Sequence, residues 1–126
     1  MGLSYRLRGA IIEVTTRGDV DYDVGFATLQ QAFADAGAVT AREPGTRWHC
    51  LFDITESTED RTAEELRGIA DYIATHRAIL TGRVASAVSE RLYYGLSRMF
   101  AAFMDDRELS VEVFDGVDAA EAWLVA

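Results

Sequence analysis

The chain has no lysine and no asparagine, one cysteine (Cys50) and one proline (Pro44). Without lysine, a Schiff-base lysine and a phosphate-loop lysine are both excluded. One cysteine cannot form an intrachain disulfide, and a cytoplasmic location is the default expectation. No apolar run approaches the ~18 residues that cross a bilayer, so no transmembrane segment is expected. The opening MGLSYRLRG lacks the apolar core of a secretory signal. Positive charge is also scarce. The 12 basic residues are all arginine, against 21 acidic ones, for a net charge of −9. That balance argues against nucleic acid or an anionic membrane surface as the main partner, although a local arginine cluster would override it.

What is present points to an α/β domain. At 126 residues, 49% of them hydrophobic, the chain fits one domain spanning residues 1–126 that can fold without metal or disulfides. Two short strands, 4–8 and 10–16, turn at Gly9. A turn at 17–19 leads to a helix capped by Asp19 or Asp21. Tyr22, Phe26, Leu29, Phe33 and Ala36 form its apolar face, and Gly37 is the expected stop. Trp48 to Ile54 is almost continuously apolar, as in a central parallel strand covered on both faces. Thr62-Ala63-Glu64-Glu65 is a capping box, opening a helix whose core side carries Leu66, Ile69, Ile73 and Leu80, with Gly82 as its end. A small-residue strand, 84–88, precedes a helix over 90–105, a strand over 110–114 and a short helix with Val117, Ala120, Trp123 and Leu124 facing inward. The order ββαβαβαβα predicts a single mixed, mostly parallel sheet of about five strands with about four helices.

Chemistry is harder to find. In such a sheet, ligands collect beyond the carboxyl ends of the strands. The polar segments there are 53–60, with Asp53, Ser57 and Thr58, and 89–91, with Ser89 and Arg91. The acids Asp53, Glu56, Glu59 and Asp60 match no calcium-loop spacing, and a solvated acidic loop is the simpler account. His49 and His76 stand far apart without zinc-site context, so no metal is expected. His49 reads as a structural polar residue on its strand, His76 as a helix residue bordering solvent. There is no GxGxxG, no Walker motif and no complete nucleophile elbow. Cys50 alternates with Trp48 and Phe52, which reads as an inert core thiol.

The helix over 90–105 carries more large apolar surface than one stripe requires. Leu92, Leu96, Met99, Phe100 and Phe103 satisfy one buried face; Tyr93, Tyr94 and Met104 extend past it. A broad core stripe with tyrosine hydroxyls reaching water accounts for this. So does a sticky outer line of Tyr94, Arg98 and Ala101, flanked by Tyr93, Ser97 and Met104, of the kind used for partners or apolar ligands.

The early hairpin, the segment Leu51-Phe52-Asp53, the run Tyr94-Gly95-Leu96-Ser97-Arg98-Met99-Phe100, and the ending Val113-Phe114-Asp115 with Ala119-Ala120-Glu121-Ala122-Trp123-Leu124 resemble the SpoIIAA-like family of STAS/Sec14-like domains over essentially the full length. The resemblance implies a STAS-type mixed sheet. Its anti-anti-sigma branch carries an Asp-Ser-Ser-Gly segment that is phosphorylated. Here the corresponding Thr58-Glu59-Asp60-Arg61-Thr62-Ala63 lacks the double serine and the glycine. Thr62, near the matching place, already has a capping role, so no phosphoswitch is expected. The Sec14-like side implies an apolar ligand, for which a chain this short offers a shallow groove.

Three functions follow, in order. The first is a non-catalytic regulatory or protein-interaction module without cofactor, self-associating as a homodimer through the 90–105 helix. The second is a carrier or sensor of a small apolar or amphipathic ligand. The third is an enzyme using the 53–60 loop. The residues expected to meet a ligand or partner are Asp53, Ser57, Thr58, Ser89, Arg91, Tyr93, Tyr94, Arg98 and Met99.

Overall fold

A computed structural model of the chain describes residues 2–58, 60–89, 91–105 and 107–126; of residues 91–94 and 96 it describes the backbone alone. The elements are β1 (Gly2–Arg8), β2 (Ile11–Gly18), α1 (Tyr22–Arg42), β3 (Trp48–Ser57), α2 (Ala63–Thr75), a 3-10 turn (Arg77–Ile79), β4 (Leu80–Val88), α3 (Arg91–Asp105), β5 (Ser110–Asp115) and α4 (Val117–Leu124). The five strands lie side by side in sequence order. The hairpin β1–β2 is antiparallel, and the three later pairs are parallel. The sheet and helix order read from the sequence is therefore the one found.

Sequence order in space has a consequence. Each crossover from β2 to β5 steps one strand over in the same direction, so a constant right-handed sense puts α1, α2 and α3 on one face. The packing agrees. Ile12, Val14, Trp48, Cys50 and Val84 from the sheet meet Leu29 and Phe33 of α1, Leu66 and Ile73 of α2, and Phe100 and Met104 of α3 in one core. The opposite face is covered by α4, whose Ala120 and Leu124 lie on Ile11, Leu51, Ala85 and Ala87. β3, at the sheet centre, is covered from both sides, as its continuous apolarity requires.

Several boundaries differ from the sequence reading. Gly37 does not stop α1, which runs to Arg42; the chain turns instead at Glu43–Gly45, and the Trp48 indole donates to Thr40 Oγ1 at 3.1 Å to tie down the last turn. Gly82 does not end α2. The helix stops at Thr75, and Leu80 opens β4 rather than closing the helix face. Gly82 sits where the β3–β4 register shifts, with φ +97°, a conformation that favours glycine within the irregularity. β3 continues through Ser57, so the expected acidic loop is strand up to that point.

Two polar features hold elements in place. The capping box is present: Thr62 Oγ1 accepts from the Glu65 N–H at 3.1 Å, and Glu65 Oε1 accepts from the Thr62 N–H at 2.9 Å. On the α4 side of the sheet, Glu13 is only 5% exposed. It accepts from Arg6 and from Arg8 Nη2 at 3.0 Å, while Arg8 Nη1 also reaches Glu121 Oε1 at 2.6 Å. Arg8 thus joins the hairpin to α4. Burial alone would raise the Glu13 carboxyl, but hydrogen bonds from Arg8 and Arg6 outweigh it and hold it below its ordinary value of 4.5.

Thr62→Ala is expected to cost about 1 kcal/mol in urea unfolding. An unchanged midpoint would mean that the box contributes nothing to α2. Because the Glu13 value is lowered by folding, its contribution is present above 4.5 and is lost as pH falls through the lower folded value. Glu13→Gln should therefore be less stable than wild type at neutral pH, with the gap closing in acid; a gap that does not change with pH would contradict this.

Candidate functional site

The α1–α3 face is not filled. Near the carboxyl ends of β2 and β3 lies a cavity of about 120 Å³. Val14, Phe52 and Ile54 contribute to its floor, Phe26 and Leu29 come from α1, Leu66 and Ile69 from α2, and Phe100 from α3. Val14 pairs with Phe52 and Phe52 with Ser86, so these three form one cross-strand row. The Phe52 and Phe100 rings meet edge to face at 6.1 Å.

The walls are apolar, with a specific exception. Five polar side chains are buried in the described structure, Glu13, Thr16, Ser57, Ser86 and Ser97, and all but Glu13 line this cavity. Thr16 and Ser86 are placed by simple alternation, following Ile12 and Val14 on β2 and Val84 on β4. Ser97 comes down from α3. Ser57 arrives by a different route. Between Thr15 and Arg17 of β2, the partner strand advances from Asp53 to Glu56, one residue more than its neighbour. This bulge reverses the alternation, so Glu56 turns outward and Ser57 inward. Among the described residues, no hydrogen bond is made by the hydroxyls of Thr16, Ser86 or Ser97, each at most 6% exposed.

The rim is built by Tyr22 and Arg61. Tyr22 Oη donates to the Glu65 carbonyl of α2 at 3.2 Å, and Arg61 Nη2 donates to the Val20 carbonyl at 2.8 Å, with its guanidinium 5.5 Å from the Tyr22 ring centre. The fit is close: a Cβ at position 68 would lie 2.8 Å from Tyr22 Oη, so glycine there makes room for the hydroxyl. Burial first, then Glu65, raises the Tyr22 phenol, with Arg61 opposing.

The residues singled out in the sequence do not gather in one place. Ser57 lines the cavity, but Asp53 lies on the opposite face of the sheet, where it accepts from the Thr55 N–H at 3.1 Å. Glu56 pairs with Arg17 at 3.2 Å. Thr58 is exposed and its N–H donates to the Gly18 carbonyl at 3.0 Å; Ser89 Oγ donates to the Thr55 carbonyl. Thr62 is occupied as a cap. Arg98 and Met99 are exposed, Met99 at 40%. Glu59, Glu90 and the side chains of Arg91, Leu92, Tyr93, Tyr94 and Leu96 lie outside the described residues.

On α3 the buried line differs from the expected one. Ser97, Phe100 and Met104 face the core, Met104 completely, while Met99 is on the outside and Phe103 is half-buried beneath Arg67, 4.8 Å from its ring centre. Ser97 and Met104 thus leave the expected outer patch. The buried line of α3 is therefore offset from the apolar pattern and brings a serine over the cavity. Thr16, Ser86 and Ser97 were the missed site residues. Their signal was small hydroxyls at core positions of otherwise apolar stripes.

Other reactive groups lie elsewhere. Cys50 is fully buried, and burial pushes its thiol up to about 12. His49 Nδ1 contacts Thr81 Oγ1 at 2.7 Å; burial and then Arg83 lower its value. His76 packs on Phe33 and Tyr72. Among the described residues, no group of three or more His, Cys, Asp or Glu could hold a metal ion, and no helix is long and apolar enough to cross a membrane.

Comparison of the structure with solved ones decides the fold. A crystal structure of an uncharacterized protein of the DUF3478 family with a SpoIIAA-like fold, from Shewanella loihica PV-4, superposes with a TM-score of 0.60 over 98% of this chain and 92% of that one, at 16% identity. The fold is SpoIIAA-like. No protein-family model matches the sequence, and no curated protein does so. At that identity the SpoIIAA-like likeness concerns architecture, and the cavity must be argued from its own residues.

Proposed function

We propose that this protein is a non-catalytic SpoIIAA-like module that binds a small, mostly apolar ligand in the cavity between the sheet and α1–α3. The observation that carries this reading is the cavity itself, with its aromatic and aliphatic walls. Its size narrows the ligand. About 120 Å³ is close to the ~150 Å³ of an engineered apolar cavity that takes benzene. It is well below the roughly 300–1,000 Å³ of sites for drug-sized molecules. That size suits a ring-sized ligand or a short chain better than a whole lipid. The buried high-value thiol and the placement of both histidines away from the lining favour binding over covalent chemistry. The acidic charge and lone buried cysteine suit a cytoplasmic protein.

Self-association through α3 is the second reading, supported by the exposed Arg98 and Met99. One titration separates the two. Toluene added to labelled protein should give saturable amide shifts at Val14, Phe52 and Phe100, and Val14→Phe, which fills the floor, should abolish them with the fold intact by circular dichroism. Shifts at Arg98 and Met99 that follow protein concentration but not toluene would favour self-association. No saturable shift at the lining residues would contradict the cavity reading.

A further inference from the structure

We infer that the ligand is a neutral amphiphile, an apolar ring or short chain carrying one hydroxyl or carbonyl group, and that Ser86 and Ser97 hold that group. This rests on the binding reading above and adds the ligand's polarity to it. Ser86 rises from the sheet floor on β4 and Ser97 descends from α3, so two hydroxyls enter one small space from opposite walls. Ser86 is 4% exposed and Ser97 5%, and neither bonds to another described residue. Among the described residues no fully enclosed side-chain oxygen lacks a partner, so both hydroxyls open on the cavity, and each is satisfied only by what enters it; alanine in either place would remove that requirement. Local structure does not need them: a helix interior gains nothing from serine at 97, and β4 is otherwise built here from valine and alanine. Two such groups facing one cavity are accounted for by an occupant that bonds to them.

The charge of the occupant follows from what surrounds it. No Asp or Glu is among the cavity's described lining residues, so nothing there would neutralise a cation. The one cation among the described lining residues, Arg61, stands at the rim and donates to the Val20 and Asp60 carbonyls, so a carboxylate held at the two serines would lose its hydration among neutral hydroxyls and apolar walls, within a chain of net charge −9. A hydroxyl both donates and accepts, so an alcohol, a phenol or a ketone matches equally well. Thr16, on β2 across the central strand, offers a further hydroxyl at the other side of the same space.

Three probes of similar shape test this by calorimetric or NMR titration at neutral pH: toluene, p-cresol and benzoate. In an apolar cavity without polar partners, p-cresol binds more weakly than toluene, because its hydroxyl gives up water for nothing. With two partners the order inverts, and p-cresol should bind about tenfold more tightly than toluene. In Ser86→Ala/Ser97→Ala the order should revert, with toluene bound at least as well as before. Toluene equal to or tighter than p-cresol on the wild-type protein would overturn the inference while leaving the apolar site standing. Benzoate tighter than p-cresol would overturn the neutral character. Failure of all three probes to bind would overturn both this inference and the proposed function. The wild-type comparison stands alone if the double variant does not fold.

Discussion

Parallel strands can be joined only by crossovers, and a crossover has a hand. Strands laid down in sequence order therefore send every connecting helix to the same side. Most of this protein follows from that constraint. Three helices share one face of the sheet, and the fourth, after the last strand, closes the other. The loaded face has one long helix and two shorter ones spread over a twisted sheet. Their rows of side chains close over Trp48, Cys50 and Val84, at the amino ends of the parallel strands. Toward the carboxyl ends of β2 and β3, Tyr22 and Phe26 are only half-buried, and the gap that remains is the cavity.

The architecture was legible in the sequence because its signals are periodic. The 3-4 spacing of Leu29, Phe33 and Ala36, the unbroken Trp48–Ile54 run and the Thr62/Glu65 box each identify an element from local chemistry alone, and each has its expected place. In the sheet, the departures come where one strand's geometry depends on its neighbour. A register shift between β3 and β4 takes in Gly82, which in isolation reads as a helix stop. The β3 bulge turns Ser57 inward, contrary to the alternation of its own strand. Neither is encoded in a single segment's pattern.

The site was less legible for a related reason. The excess apolar residues of α3 do not share one face: Met99 is exposed and Met104 fully buried. The informative residues are the opposite kind: Thr16, Ser86 and Ser97, small and polar where the stripe calls for something larger. A serine in a core position removes volume and adds a group that requires a partner. Two serines and a threonine of this kind on one cavity supply both space and chemistry. The acids at Asp53 and Glu56, by contrast, are satisfied by Thr55 and Arg17 on the other face of the sheet.

The central claim is that this space accepts an apolar occupant in the folded protein. A crystal pressurised with xenon tests it most directly, because xenon enters apolar cavities without any polar recognition. The account expects a xenon peak in contact with Leu29, Phe52 and Phe100, with the surrounding helices unmoved. A crystal in which these side chains close the space, and xenon binds elsewhere or not at all, would contradict it.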